Sequence, residues 1–228
     1  RSTLAWEGHR NIYGDRVALL VQIRITYADG HDEIVGSDQQ WTAARGPILM
    51  SEIYDGETYD ARLEPAGWTE AGFDDRAWAK VALAATPKDR PPIAPVGPPV
   101  RKIQEVKAVK VFKTPAGDTV VDMGQNMVGW VRLQAQGPAG TTVTLRHAEV
   151  LDKQGNFYTA NLRGAKATAR YTLKGSGREV FEPHFTFFGF RYVAVDGYPG
   201  EITPDSLTGI VIHSDMRVTG SFETSNAM

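Results

Sequence analysis

The densest set of groups able to do chemistry in this 228-residue chain is an acidic window, Glu52-Ile53-Tyr54-Asp55-Gly56-Glu57-Thr58-Tyr59-Asp60, with four carboxylates in nine residues. Hard cations such as calcium are held by several converging oxygens. Tyrosines beside carboxylates grip a sugar, the ring lying on its C–H face while the acids take its hydroxyls. Tyr54, Asp55, Glu57, Tyr59 and Asp60 are therefore the candidate sugar-contacting residues, with Asp55 and Asp60 the candidate calcium ligands. No cofactor is required, and calcium is the metal that the window suits. The alternative is a solvated edge strand with its acids outward. In an extended strand Glu57, Tyr59 and Ala61 share one face and Asp60 points away, so a site needs a turn at Gly56 to join Asp55 to Asp60.

Other reactive constellations are weaker. The five histidines, His9, His31, His147, His184 and His213, are scattered, with no two at the spacing of a strand or helix metal pair. His147 follows Val143 and Leu145 on the apolar parity of a strand, which predicts a buried, hydrogen-bonded imidazole. His184 precedes Phe185, Phe187 and Phe188 and either packs in the core or lines an aromatic surface. Trp41, Trp68, Trp78 and Trp130 fit either a sugar platform or a sandwich core. Gly124-Gln125-Asn126-Met127-Val128-Gly129 lacks the middle glycine of a dinucleotide fingerprint, and no helical pattern follows it. The sequence contains no zinc-protease pair, nucleophile elbow, phosphate loop or EF-hand loop.

The elements that must position these groups are strands. Val21, Ile23, Ile25 and Tyr27 alternate with polar residues, as do Val131, Leu133 and Ala135, and again Val143 and Leu145. Glycine-bearing turns separate such runs at Ala28-Asp29-Gly30, Gly137-Pro138-Ala139-Gly140, Lys153-Gln154-Gly155-Asn156 and Lys174-Gly175-Ser176-Gly177. A short helical turn is expected between Glu70 and Val81, capped by Asp74 or Asp75, with Phe73 and Trp78 inward. Thr86 to Pro99 holds six of the 13 prolines. Lacking N–H groups, these residues favour a stiff extended connector, and a domain boundary is expected there. The reading is all-β, two β-sandwiches in tandem.

Composition narrows the partners. With 25 basic and 27 acidic residues the net charge is −2, without the cationic surplus that a nucleic-acid binder needs. No apolar run is long enough for a membrane-spanning helix. Cysteine is absent, which removes disulfides, thiol nucleophiles and cysteine-ligated metals. The N-terminus, Arg1-Ser2-Thr3-Leu4-Ala5-Trp6-Glu7, shows neither a signal pattern nor an initiator Met, so the chain is expected to begin inside a longer product, cytoplasmic or secreted.

Several of these runs together resemble the bacterial α-L-rhamnosidases, glycoside hydrolase family 78. In the first half the resemblance rests on Ile25-Thr26-Tyr27-Ala28-Asp29-Gly30, Gly46-Pro47-Ile48, Tyr54 to Arg62, and Gly67-Trp68 followed by Gly72-Phe73-Asp74-Asp75 and Trp78. In the second it rests on Asp122 to Trp130, Gly137-Pro138-Ala139-Gly140-Thr141, Arg146-His147-Ala148-Glu149-Val150-Leu151, and Glu182 to Tyr192.

The resemblance implies a jelly-roll, galactose-binding-like module over residues 1–86, incomplete at its start, a Pro-rich linker over 87–99, and a concanavalin-like sandwich over 100–219. Residues 220–228 would begin the connection to a catalytic (α/α)6 barrel that this chain does not contain. Family members hydrolyse terminal α-L-rhamnose by inversion with an acid and a base placed in that barrel. The implied partners are rhamnosides and the missing catalytic domain, and the implied role is structural support with carbohydrate binding by the chain, which alone is expected to be inactive. In some members the jelly-roll module binds rhamnose through calcium, which the resemblance carries only to the Tyr54 to Asp60 segment. A stand-alone rhamnose-binding lectin and a purely structural adhesion module are the alternatives.

Overall fold

A computed structural model describes residues 16–84 and 93–226. Six short strands come first: β1 (Gln22–Thr26), β2 (Asp32–Gly36), β3 (Thr42–Ala43), β4 (Ile48–Glu52), β5 (Gly56–Asp60) and β6 (Ala79–Lys80). Ten follow: β7 (Val100–Lys107), β8 (Lys110–Lys113), β9 (Thr119–Gln136), β10 (Thr142–Ala148), β11 (Val150–Leu151), β12 (Phe157–Tyr158), β13 (Thr168–Thr172), β14 (Arg178–Phe181), β15 (Phe188–Asp196) and β16 (Leu207–Ser214). The all-β class expected from the period-2 alternation is what the chain adopts. It divides into two compact units, Arg1–Pro47 with Leu63–Ile93, and Ile48–Arg62 with Ala94–Met228.

Within the described residues of the first unit, β1 pairs antiparallel with β2, and β3 pairs antiparallel with β6. The turn expected at Ala28-Asp29-Gly30 closes the β1–β2 hairpin: the Gly30 N–H donates to the Tyr27 carbonyl, and Gly30 takes a φ of +87°. No described residue of this unit is buried. Between Glu70 and Val81 the chain forms turns and no helix, the Trp78 N–H donating to the Asp75 carbonyl at 2.8 Å. Asp74 instead holds the Arg76 side chain and backbone, while Phe73 tilts against Trp78 at 5.4 Å. Gly72, with a φ of +83°, is a poor residue to carry a helix there.

The second unit holds a ten-stranded sheet in the order β4-β5-β13-β10-β15-β9-β16-β7, with β8 and β14 also on β9, and a separate antiparallel β11–β12 pair. β9, 18 residues long, ties the sheet together by pairing with four other strands. Its first part lies between β8 and β15, and its last part pairs with β16 and β14. Two glycines permit that course. A Cβ on Gly124, at φ +81°, would come within 2.5 Å of Val109, and one on Gly129, at φ +153°, within 1.8 Å of the Ile210 carbonyl oxygen. The glycines that looked superficially like a nucleotide loop are thus sites where strands cross closely.

The alternation read for β9 and β10 points inward as expected. Val131, Leu133, Val143 and Leu145 are all at most 1% exposed and join Val121, Phe190 and Leu207 in the buried cluster. Each such side chain contributes about 1.5–3 kcal/mol of transfer free energy.

Residues 48–62, assigned from sequence to the first module, belong to the second unit. β5 lies parallel to β13, from Gly56 opposite Thr168 to Asp60 opposite Thr172, and β4 adds antiparallel outside it. Of the Pro-rich linker, residues 87–92 lie outside the described residues, and 93–99 are exposed and without strand.

Candidate functional site

β5 is buried at four of its five positions, so its acids cannot all face water. Each has a partner inside the second unit. The turn before β5 is organised by Glu52, whose carboxylate accepts the N–H groups of Tyr54 and Asp55 at 2.7 and 2.8 Å. Asp55 accepts Lys166 Nζ at 2.7 Å through one oxygen, while its other oxygen is buried without a hydrogen bond. Glu57 has no side-chain exposure. It accepts the His184 N–H at 3.0 Å, the His184 ring Nδ1 at 2.9 Å and the Phe185 N–H at 3.2 Å. Asp60 accepts Arg62 Nε at 2.9 Å and Nη2 at 2.7 Å, and this guanidinium holds its carboxyl below the usual range.

The tyrosines divide in the same way. Tyr59 is buried in an aromatic stack, with ring centres 5.7 Å from Tyr171, 5.5 Å from Phe181 and 5.5 Å from His184. Tyr54 is exposed.

These positions bear on the expected calcium and sugar site. Asp55 and Asp60 stand at opposite ends of β5, about 16 Å apart along an extended strand, and each is held by its own cation. The turn at Gly56 sends the chain into β5 and does not fold Asp60 back. A shared calcium would need both carboxylates within coordinating reach of one point. Among the described residues no three His, Asp or Glu side chains come together as a metal site would require. Glu57 and Tyr59 lie inside the fold and present no face to a sugar.

What the segment builds is a latch. The Glu57 carboxylate fixes the loop between β14 and β15, and the Thr186 hydroxyl donates to the Ile53 carbonyl at 3.2 Å. A third loop joins them, since the Ala167 and Thr168 N–H groups donate to the Tyr54 and Asp55 carbonyls, both at 3.0 Å. Ala167 takes a φ of +43° and Arg163 one of +58°, left-handed conformations that non-glycine residues adopt at a cost. One sequence signal pointed to the latch. Glu57 shares its strand face with Tyr59 and Ala61, and a carboxylate on an inward face must be paired.

His147 is buried as expected. Its Nδ1 meets the Ala167 carbonyl at 2.9 Å, and its ring stacks 4.0 Å from Phe188, but Nε2 has no partner. Burial pushes its pKa down to about 4, against the opposing hydrogen bond to Ala167. His184, left open between core and surface, is half-exposed and stacks on Tyr59. The Trp130 indole N–H is taken by Glu182 at 2.8 Å, which also binds Arg132 and Lys102.

Two more buried carboxylates, missed in the sequence, do similar work. Glu179 accepts the Lys174, Gly175 and Ser176 N–H groups and the Tyr171 hydroxyl. Burial raises its pKa, yet these bonds outweigh burial and hold it low. Asp122 accepts Arg191 at 2.9 and 3.0 Å and the Gly124 N–H at 2.7 Å, and is held low chiefly by Arg191. Glu179 closes its own turn with near neighbours in the chain, whereas Asp122 draws Arg191 from 69 residues away, which no local spacing reveals.

Comparison with known proteins assigns the architecture. Residues 1–104 match the alpha-L-rhamnosidase N-terminal domain, and residues 112–213 match the bacterial alpha-L-rhamnosidase concanavalin-like domain. The chain belongs to the α-L-rhamnosidase family. An α-L-rhamnosidase of Streptomyces avermitilis is 53% identical over 216 residues, which cover 95% of this chain and 21% of that protein. Its structure, solved in complex with L-rhamnose, superposes with a TM-score of 0.88 over 94% of this chain and 21% of its own. The α-L-rhamnosidase of Aspergillus terreus superposes with a TM-score of 0.89 at 48% identity, over 96% of this chain and 25% of that one. The chain therefore spans a fifth to a quarter of the length of these rhamnosidases.

Proposed function

We propose that this chain is a non-catalytic β region of an α-L-rhamnosidase, supporting the domain that hydrolyses terminal α-L-rhamnose from glycosides. The reading is supported by the 53% identity to a rhamnosidase of which this region is 21%. It is supported further by the employment of the buried acids. An inverting glycosidase needs two carboxyl groups roughly 6.5–9.5 Å apart with room for a water between them. Glu57, Asp122 and Glu179 are each tied to backbone or cationic donors that fix loops. These groups are spent on the fold. The test is hydrolysis of an aryl α-L-rhamnoside by the isolated chain: release at the buffer rate is expected, and turnover that disappears when one of its carboxylates is replaced would overturn the reading.

A further inference from the structure

At the latch, the same loop that Glu57 holds from beneath presents bare aromatic rings above. Phe185 is 71% exposed and Phe187 43%, and on the adjoining turn Ile53 is 38% and Tyr54 46% exposed. The loop and the turn are pinned together by the Thr186 to Ile53 bond. Pro183-His184-Phe185-Thr186-Phe187-Phe188 carries no carboxylate, lysine or arginine. Lys166, 64% exposed, stands beside the turn through its pairing with Asp55.

Such rings, left to themselves, collapse inward or onto one another. Here three hydrogen bonds to a fully buried carboxylate oppose that, and the neighbouring loop accepts left-handed backbone at Ala167. A rigid aromatic centre depleted of charge, with a cation at its margin, has the make-up of a protein interface core rather than of a sugar subsite. Phe185 and Phe187 supply no hydroxyl or N–H with which to orient a sugar, and Tyr54 brings the ridge a single hydroxyl. Fixing the rings beforehand reduces the ordering cost when a partner arrives.

We propose that the ridge of Phe185, Phe187, Ile53 and Tyr54 is the face on which the remainder of an α-L-rhamnosidase polypeptide packs. The choice of occupant follows from length. The relatives devote 21% and 25% of their chains to this region, so most of their polypeptide lies elsewhere and must meet it somewhere. This rests on the function proposed above and assigns it a surface.

The experiment grafts this chain in place of the matching region of the Streptomyces avermitilis relative and compares the wild-type graft with Phe185→Ser/Phe187→Ser and with Val100→Ser. Val100 is 62% exposed on β7, the strand at the opposite end of the sheet from β4, and serves as the control. The ridge variant should lower the thermal midpoint of the graft by about 5 °C or more, with Val100→Ser unchanged and with the isolated 228-residue chain equally stable with and without the ridge substitutions. Equal midpoints for ridge variant and wild type, in an active graft, would overturn the ridge and leave the proposed function standing. A ridge variant that destabilises the isolated chain as much as the graft would also overturn it, as would L-rhamnose binding or self-association of the isolated chain that the substitutions abolish. A wild-type graft that folds but does not hydrolyse an aryl α-L-rhamnoside would overturn the proposed function, and the ridge with it.

Discussion

Two hairpins in this chain share their local chemistry and differ in almost everything else. β1–β2 and β4–β5 are both antiparallel, and each carries a left-handed glycine at its turn, Gly30 at φ +87° and Gly56 at φ +107°. All ten strand positions of β1–β2 are exposed, whereas β5 is buried at four of its five. The difference is a third strand. β13 lies along β5 and supplies the Thr168 carbonyl oxygen only 1.9 Å from where a Gly56 Cβ would sit, while a Gly30 Cβ would meet nothing within 4 Å. A hairpin's own sequence specifies its turn and its alternation. What covers its faces is decided by residues far away in the chain.

The largest effect expected from breaking this contrast is at the two glycines. Gly56→Ala adds left-handed strain to a collision with backbone and should cost about 4 kcal/mol or more, enough to detach β4–β5 from the sheet. Gly30→Ala carries the strain alone and should cost about 1 kcal/mol. Denaturant unfolding of the two variants measures both.

Next comes the latch. Glu57→Ala strips partners from the His184 and Phe185 N–H groups and should destabilise by about 3 kcal/mol. On β2, Glu33→Ala should leave the unfolding midpoint unmoved, since that residue is exposed. A shift at Glu33 as large as that at Glu57 would dissolve the distinction between the hairpins.

Acid sharpens it further. His147 titrates at about 4 in the folded chain, below the ordinary value of 6.5. As pH falls through 6.5 the unfolded chain takes up a proton that the folded chain refuses, so stability falls down to about pH 4. The full loss is about 3 kcal/mol. His147→Leu should flatten the stability profile over that window, and a slope unchanged by the substitution would contradict the burial argument.

The smallest effect is expected in the first unit. Asp32 takes bonds from Arg24 and Thr26 on an exposed surface, and its carboxyl is held low chiefly by Arg24. Pairs of this kind are screened by solvent. Asp32→Ala should not move the thermal midpoint measurably.

How much was legible in the sequence follows from the same contrast. The alternation of Val131, Leu133 and Ala135 gave the strand and also its buried face, because β9 lies in the middle of a sheet. The identical alternation at Ile23 and Ile25 gave the strand alone, and those residues are 49% and 39% exposed. The acidic window stood out for its charge density, and the face that Glu57 shares with Tyr59 and Ala61 was readable within it. Its partners were not, because the loop that carries His184 lies 127 residues away. For the same reason Asp55's cation, Lys166, 111 residues away, was hidden, whereas Asp60's, Arg62, stands only two residues on. Family likeness carried the domain types further than periodicity did, while the parallel pairing of β5 with β13 has no local signature.

The central claim is that the acidic window is a strand of the second unit, and amide hydrogen exchange residue by residue tests it most directly. The Glu57 to Asp60 amides should exchange with the protection of β13 and β10, opening only when the second unit unfolds, while the amides of β1 and β2 exchange faster. Fast exchange of the Glu57 to Asp60 amides, at the level of β1 and β2, would contradict the account.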